Sequence, residues 1–381
     1  MLKQEFGFNK AQLGLIGSSF MWVYAASAPI AGFAGDRRSR KGLILGGCIL
    51  WSLLTVVTGI CSRLWQFVAS RALIGLGESV YFPSAISLLS NLHGAGTRST
   101  ALSIHQSAVY IGTIAGGGLG ALLAQHYGWR WAFYGFGFAG ILLSLVLWIF
   151  LREPRRSYEK SCEVEAAIQS QRGIMKTLTG LISRPDLLLM MGGFAFANSV
   201  AAVLLVWAPT FLFEKFHLSL LASGFSAVAA IQTASAVSAP MAGLLSDRLA
   251  KHIKGARMMV QSLALVLGAA SVVAMGKVSE TGDIIIAMVC FGLCKGAYDA
   301  GIFATVFEFV TPWEHSSTAG LMNTLGWVGG GVGTLLVGLI SSGSDPALER
   351  MSGIIMWSSG AYVIAALLIA IATKIYRSRP H

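Results

Sequence analysis

Polar positions are sparse along this chain and come in clusters. Between the clusters run apolar stretches of the length a helix needs to cross a bilayer, about 20 residues. The pattern predicts eleven spans, at 11–35, 42–61, 64–90, 101–126, 129–151, 187–213, 220–246, 258–276, 283–307, 316–341 and 351–375. Most of the intervening polar clusters are short. Residues 152–186 are the exception, a long mixed-charge connection that separates five spans from six. A helix is expected there over Glu163–Met175, with Pro154 and Pro185 as helix stops at the edges.

Two stretches repeat each other 211 residues apart. Pro29-Ile-Ala-Gly32-Phe-Ala-Gly-Asp36-Arg37 and Pro240-Met-Ala-Gly243-Leu-Leu-Ser-Asp247-Arg248 share Pro, Ala, Gly, Asp and Arg at one spacing. Such a repeat in so apolar a chain implies two related halves around a shared centre. The expected organisation is a first bundle at 1–151, a connecting loop at 152–186, a second bundle at 187–376 and a tail at 377–381. Shifted back by one repeat, span 187–213 would fall before residue 1. One helix of the first bundle is therefore expected upstream of Met1.

Composition places the chain among polytopic membrane proteins. Hydrophobic residues make up 55% and charged residues 12%, where soluble proteins carry about 25% charged residues. The 45 glycines fit close helix–helix approach in a bilayer. The net charge of +11 does not indicate nucleic acid, because the basic residues sort by side. Alternate loops and the tail hold 19 Lys and Arg, and the opposite loops hold seven. The richer side is expected in the cytoplasm, together with the C-terminus. Arg71 and Lys295 remain inside spans. The five cysteines form neither a CxxC motif nor a His/Cys cluster, so they read as small buried hydrophobes. No metal or cofactor is expected, and no motif of an enzyme is present.

The ordered motifs resemble those of the major facilitator superfamily. Gly32-Phe33-Ala34-Gly35-Asp36-Arg37-Arg38-Ser39-Arg40-Lys41 is similar to the family signature after its second helix, with Ser39 in place of glycine. Arg71-x-x-x-Gly75-x-Gly77 resembles the fourth-helix signature. Gly112, Gly116, Gly117 and Gly120 resemble an antiporter-type glycine series that lacks its proline, and Gly128-Trp129-Arg130-x-x-Phe133 is a frequent family turn. Within the superfamily, Arg71-Ala-Leu-Ile-Gly-Leu-Gly-Glu78 with Pro83, and Trp207-Ala-Pro209, resemble the anion:cation symporters. A weaker similarity to spinster-like lipid transporters covers the same helices.

The resemblance implies an all-α fold of two pseudo-symmetric bundles with about eleven of its membrane helices present. It also implies a gate at Asp36, Arg37, Arg40, Asp247 and Arg248. Arg71 and Glu78 are the leading site residues. They lie two helical turns apart on one face, and charges inside a membrane usually face a cavity. Arg71 suits a carboxylate, which it would grip by two parallel hydrogen bonds. A carboxyl such as Glu78 in a low-dielectric cavity suits proton uptake. Tyr24, Tyr81 and Asn198 are candidates for cavity lining. Lys295 and Asp299, four apart, could pair on one face. His105, Gln106 and Asn323 are further polar candidates inside spans.

The reading is a secondary active transporter in the bacterial inner membrane. It is expected to act as a monomer and to carry a small organic anion, a sugar acid or monocarboxylate, in symport with protons. Alternating access would come from rocking of 1–151 against 187–376. The alternatives are a proton-coupled antiporter or exporter, a lipid-type transporter, and a non-transporting truncated carrier or sensor.

Overall fold

Asn9 opens the first helix, α1 (Lys10–Arg37). Its Oδ1 accepts the Gln12 amide at 2.8 Å while Gln12 Oε1 accepts the Asn9 amide at 2.9 Å, a reciprocal capping box. Arg38 leaves the helix in an extended conformation, and Ser39 caps α2 (Arg40–Ile60) through Oγ, which accepts the Gly42 amide at 3.0 Å. Glu153, just past α5 (Trp129–Phe150), strengthens that helix start. Its carboxylate takes the Arg40 amide at 2.7 Å and the Ser39 hydroxyl at 2.5 Å. A carboxylate at a helix N-terminus is stabilising because the first amides have no partner within the helix.

The structure is a computed structural model that describes residues 5–153, 173–216, 220–341 and 347–378. Among these residues all regular structure is helical. After α2 come α3 (Leu64–Leu92) and α4 (Arg98–Tyr127), then α5. They are followed by α6 (Ile174–Ile182), α7 (Pro185–Phe216), α8 (Leu220–Ala250), α9 (Ala256–Lys277), α10 (Thr281–Asp299), α11 (Ile302–Val306), α12 (His315–Ser341) and α13 (Ala347–Ser378). Ten helical segments among the described residues are long and apolar enough to cross a membrane. The remaining predicted span, 316–341, folds as the 27-residue α12, long enough at about 1.5 Å per residue. Most of the predicted helix at Glu163–Met175 lies outside the described residues, and α6 follows it.

One predicted span is broken. Residues 283–307 divide into α10 and α11 around Ala300 and Gly301. Gly301 is pressed against Gln261 of α9, whose Nε2 would stand 2.7 Å from a Cβ there. The cysteines also differ from expectation. Cys48 and Cys61 are buried, but Cys290 is exposed on its helix.

The packing repeats as the sequence does. In the first half α1 packs on α3, α2 on α3 and α2 on α5; in the second half α8 packs on α10, α9 on α10 and α9 on α13. Glycines allow these approaches. A Cβ on Gly75 of α3 would meet the Phe20 carbonyl oxygen of α1 at 2.6 Å, and one on Gly292 of α10 would meet the Ile231 carbonyl oxygen of α8 at 2.4 Å. Helix α7 adds packing against α8 and α13 that has no counterpart in the first half among the described residues.

By contacts the chain forms two units. One comprises Met1–Leu92, Ala115–Leu181 and Val310–Thr324; the other comprises His93–Ile114, Ile182–Phe309 and Leu325–His381. The start of α4 thus groups with the second half of the sequence, and the start of α12 with the first.

Candidate functional site

The two copies of the repeated turn do the same thing to different helices. Asp36 accepts the backbone amides of Ser316 at 2.9 Å and Ser317 at 2.8 Å, in the first turn of α12. Asp247 accepts the amides of Ser99 at 3.2 Å and Thr100 at 2.8 Å, in the first turn of α4, and the Thr100 hydroxyl at 2.8 Å. The spacing explains why. Four residues are about one helical turn, so Gly32 shares a face with Asp36, and Gly243 with Asp247. A Cβ on Gly32 would meet the Ser316 carbonyl oxygen at 2.3 Å, and one on Gly243 would meet Ser103 Oγ at 2.4 Å. Glycine lets the partner helix come close enough for its free amides to reach the carboxylate.

The basic residues of the two turns differ. In the first, Arg40 is buried 3.8 Å from Asp36 and donates to the Pro312 carbonyl at 3.2 Å. Arg37 folds back over the Phe33 ring, 3.5 Å from its centroid. In the second, Arg248 is exposed. The partner of Asp247 is instead Arg257 at 2.7 Å, which also pairs with Glu308 and donates to Ser99 Oγ at 2.7 Å. Arg257 and Glu308 lie outside the repeated motif, and no spacing in the sequence signalled them.

Arg71 lies on the face of α3 that packs on α1. Its guanidinium stands 5.1 Å from the centre of the Phe20 ring, and Phe20 lies 5.7 Å from the Tyr24 ring. The Tyr24 hydroxyl accepts Asn323 Nδ2 at 2.5 Å. Arg71, Tyr24 and Asn323, picked separately from the sequence, therefore belong to one cluster, with Phe20 as the link the sequence reading missed. Phe20 precedes Tyr24 by one turn, and that spacing was the available signal. Among the described residues Arg71 donates no hydrogen bond and forms no ion pair. Glu78, half-buried on α3, likewise has neither; the two are about 10 Å apart along the helix axis, too far to touch.

Other candidates are placed elsewhere. Tyr81 turns toward α2, its ring 5.0 Å from that of Trp51. Asn198 donates to the Phe194 carbonyl of its own helix at 3.0 Å. His105 and Gln106 are half-buried on α4. Lys295 and Asp299 do pair, at 2.8 Å, and are joined by Tyr110, which the sequence reading did not single out. An aromatic residue on an apolar helix reads as core, and only the fold shows its hydroxyl meeting two charges.

These features, two helix-capping turns and an intramembrane arginine, have known relatives. A model of the Major Facilitator Superfamily matches residues 1–334. The chain belongs to this superfamily. Its fold is the multi-pass membrane fold of that family. This superfamily member is 26% identical over 391 residues to the probable anion transporter 4, chloroplastic, of Oryza sativa subsp. japonica, covering 98% of this chain and 63% of that protein. It is 26% identical over 351 residues to the ascorbate transporter, chloroplastic, of Arabidopsis thaliana, covering 89% of this chain and 64% of that one. The chain thus spans less than two thirds of the length of either relative. Its fold is shared with the crystal structure of a bacterial homolog to the human lysosomal transporter Spinster in an inward-facing and unoccupied conformation. There the TM-score is 0.67 and the identity 19%, over 99% of this chain and 92% of that one.

Proposed function

We propose that this transporter carries a small organic anion, a sugar acid or monocarboxylate, across the membrane in symport with protons. The observation that carries the reading is Arg71. A guanidinium inside a membrane span is costly unless it is paired, and among the described residues Arg71 forms no hydrogen bond or ion pair and lies over the Phe20 ring. An anionic cargo would supply the missing partner, held by two parallel hydrogen bonds. Glu78, without a hydrogen bond or ion pair among the described residues, is the proton site of this reading. The names of the plant relatives support an anion as cargo.

Asp36 and Asp247 are the gate of this reading. Each holds a helix from the other half of the sequence through free amides, so releasing either contact would let 1–151 and 187–376 rock during alternating access. Proteoliposomes test the proposal. Uptake of ascorbate or gluconate should rise when an inward pH gradient is imposed and fall to equilibration when the gradient is collapsed. Accumulation that ignores the gradient would sink the symport reading.

A lipid-type cargo is the second reading. A cavity of about 450 Å³ lies among α7, α12 and α13, lined by apolar side chains such as Val200, Val332 and Trp357. Its two serines, Ser199 and Ser358, spend their hydroxyls on their own helices. A fluorescent lysolipid moved between leaflets by the reconstituted protein, and not the organic acids, would favour this reading.

A further inference from the structure

Lys295, buried, and Asp299, half-buried, are charges that neither the gate nor the Arg71 cluster uses. Lys295 lies one turn before Asp299, the last residue of α10, which directly precedes the break at Ala300–Gly301. Lys295 Nζ donates to Asp299 Oδ2 at 2.8 Å and to the Tyr110 hydroxyl at 3.1 Å, and stands 4.2 Å from the centre of the Tyr110 ring. The Tyr110 hydroxyl donates to the same Oδ2. Both donors converge on one oxygen, and Asp299 Oδ1 takes no hydrogen bond from any described residue. The Asp299 side chain keeps 18% of its surface, while that of Lys295 keeps 9%. Asp299 is thus the more exposed partner of the pair.

The break itself points to a ligand. Two buried polar atoms beside it have no hydrogen-bond partner among the described residues, the Tyr298 hydroxyl and Gln261 Oε1. Tyr298 precedes Asp299, and Gln261 lies against Gly301. Buried polar atoms left unpaired are costly. Interrupted helices in membrane carriers are where substrate and coupling ions bind, because the break frees polar groups.

We propose that Tyr110, Lys295 and Asp299 form a second proton-coupled anion site, in which proton uptake by Asp299 hands the Lys295 ammonium to an anion. The inference rests on the symport reading above. The new O–H bond forms on Asp299 as an O–H bond of a hydronium ion breaks and leaves a water molecule, and no bond in the protein breaks. The pair changes from neutral to +1, a state that low dielectric disfavours. An arriving monoanion restores neutrality at Lys295. Proton and anion therefore favour each other's binding by the same factor, as linkage requires.

The groups that face Asp299 are few. Besides Lys295, its field is felt by the hydroxyls of Tyr110 on α4, Tyr298 on α10 and Tyr362 on α13. Helix α8 meets α10 at Gly296 with Ser235 and Ser238. Helices α8 and α9 carry titratable side chains only near their ends, Asp247 and Arg248 on one, Arg257 and Lys277 on the other.

Infrared difference spectra of the full chain in proteoliposomes test the proposal, with ascorbate and inorganic phosphate as probe anions. Adding a probe should produce a protonated-carboxyl band with a component that Asp299→Asn removes and Glu78→Gln leaves in place. A spectrum unchanged by Asp299→Asn overturns the inference, and leaves the symport reading standing if Glu78→Gln abolishes the band. A wild-type protein that transports a probe with no protonation change overturns both. Because Asp299→Asn strands a buried cation, the neutral double variant Lys295→Met/Asp299→Asn provides the second test. Its apparent affinity for the probe should fall about tenfold or more. Unchanged affinity in the folded double variant would make the pair a structural one and end the proposal.

Discussion

Asp247 and Arg257 pair at 2.7 Å, with both side chains almost wholly buried. The equivalent aspartate, Asp36, has its nearest arginine at 3.8 Å and relies chiefly on two helix amides. The two turns share a sequence pattern but not an energy. Asp247→Asn removes one partner of a buried pair and should cost about 3–5 kcal/mol. Asp36→Asn weakens charge-assisted bonds at a helix start and should cost about 1–3 kcal/mol. Thermal unfolding of the two purified variants measures the difference. Equal losses would mean that the Arg257 contact carries no more than the helix amides do.

The repeat was legible because its spacing is its mechanism. Glycine and aspartate one turn apart are needed wherever a helix start must dock on a carboxylate, so both copies keep them. Arg257 and Glu308 were not legible, since Arg257 reaches Asp247 from a different helix and Glu308 reaches Arg257 from a distant loop, and no local pattern requires them. Arg71 stood out as a charge in an apolar span. Its link to Tyr24 and Asn323 did not, because that link depends on α3, α1 and α12 meeting. Tyr81 and Asn198 show the limit of picking polar residues in spans. A tyrosine stacks on whichever neighbour the helix face meets, and an asparagine is satisfied by its own backbone one turn back.

The glycines of the first half differ in what surrounds them, and this yields a contrast. Gly75→Ala places a methyl 2.6 Å from the Phe20 backbone oxygen. Neither backbone yields cheaply, so the variant should lose about 1–3 kcal/mol. Gly46→Ala meets nothing within 4 Å and should be neutral or gain up to about 1 kcal/mol from helix propensity. Melting temperatures of the two alanine variants should move apart. A Gly75→Ala protein as stable as wild type would show that α1 and α3 are not in the contact described.

Glu5 supplies a pH dependence outside the spans. Its carboxylate takes the Trp129 indole N–H at 2.7 Å and Arg130 at 2.6 Å. The Trp129 bond and then Arg130 hold it below the usual value of 4.5. A carboxyl whose pKa is lowered by folding stabilises the fold fully above its unfolded value, and that stabilisation fades as pH falls through the lowered one. The melting temperature of wild type should therefore exceed that of Glu5→Gln by a constant amount above about pH 5, and the gap should close on further acidification. A gap that persists in acid would remove Glu5 from the account of this region.

Orientation follows from the 19-to-seven division of basic residues. Ser39 and Ala250 should face the cytoplasm and Ser279 the outside. Single cysteines at these positions, on a background without the native five, are to be treated with an impermeant thiol reagent in intact cells. Label at Ser279 and silence at the other two is the expected result; the reverse pattern inverts the topology.

Arg71 and Glu78 share a helix face without touching, and this determines how their variants should differ. Arg71→Lys keeps the charge but loses the fork that grips a carboxylate, so apparent affinity for the anion should fall about tenfold or more. Glu78→Gln removes only a through-space charge from Arg71, because among the described residues no hydrogen bond or ion pair joins them. It should therefore keep anion exchange across the membrane at an affinity close to wild type. It should nevertheless lose uphill uptake, since glutamine cannot alternate between charged and neutral forms as the carrier turns over. Counterflow and pH-driven uptake in the same proteoliposomes separate the two effects. Accumulation against the anion's gradient by Glu78→Gln, at the wild-type level, would move the coupling proton away from α3 altogether. Loss of counterflow together with uphill uptake would instead make Glu78 part of the anion site, acting on Arg71 through space despite the two turns between them.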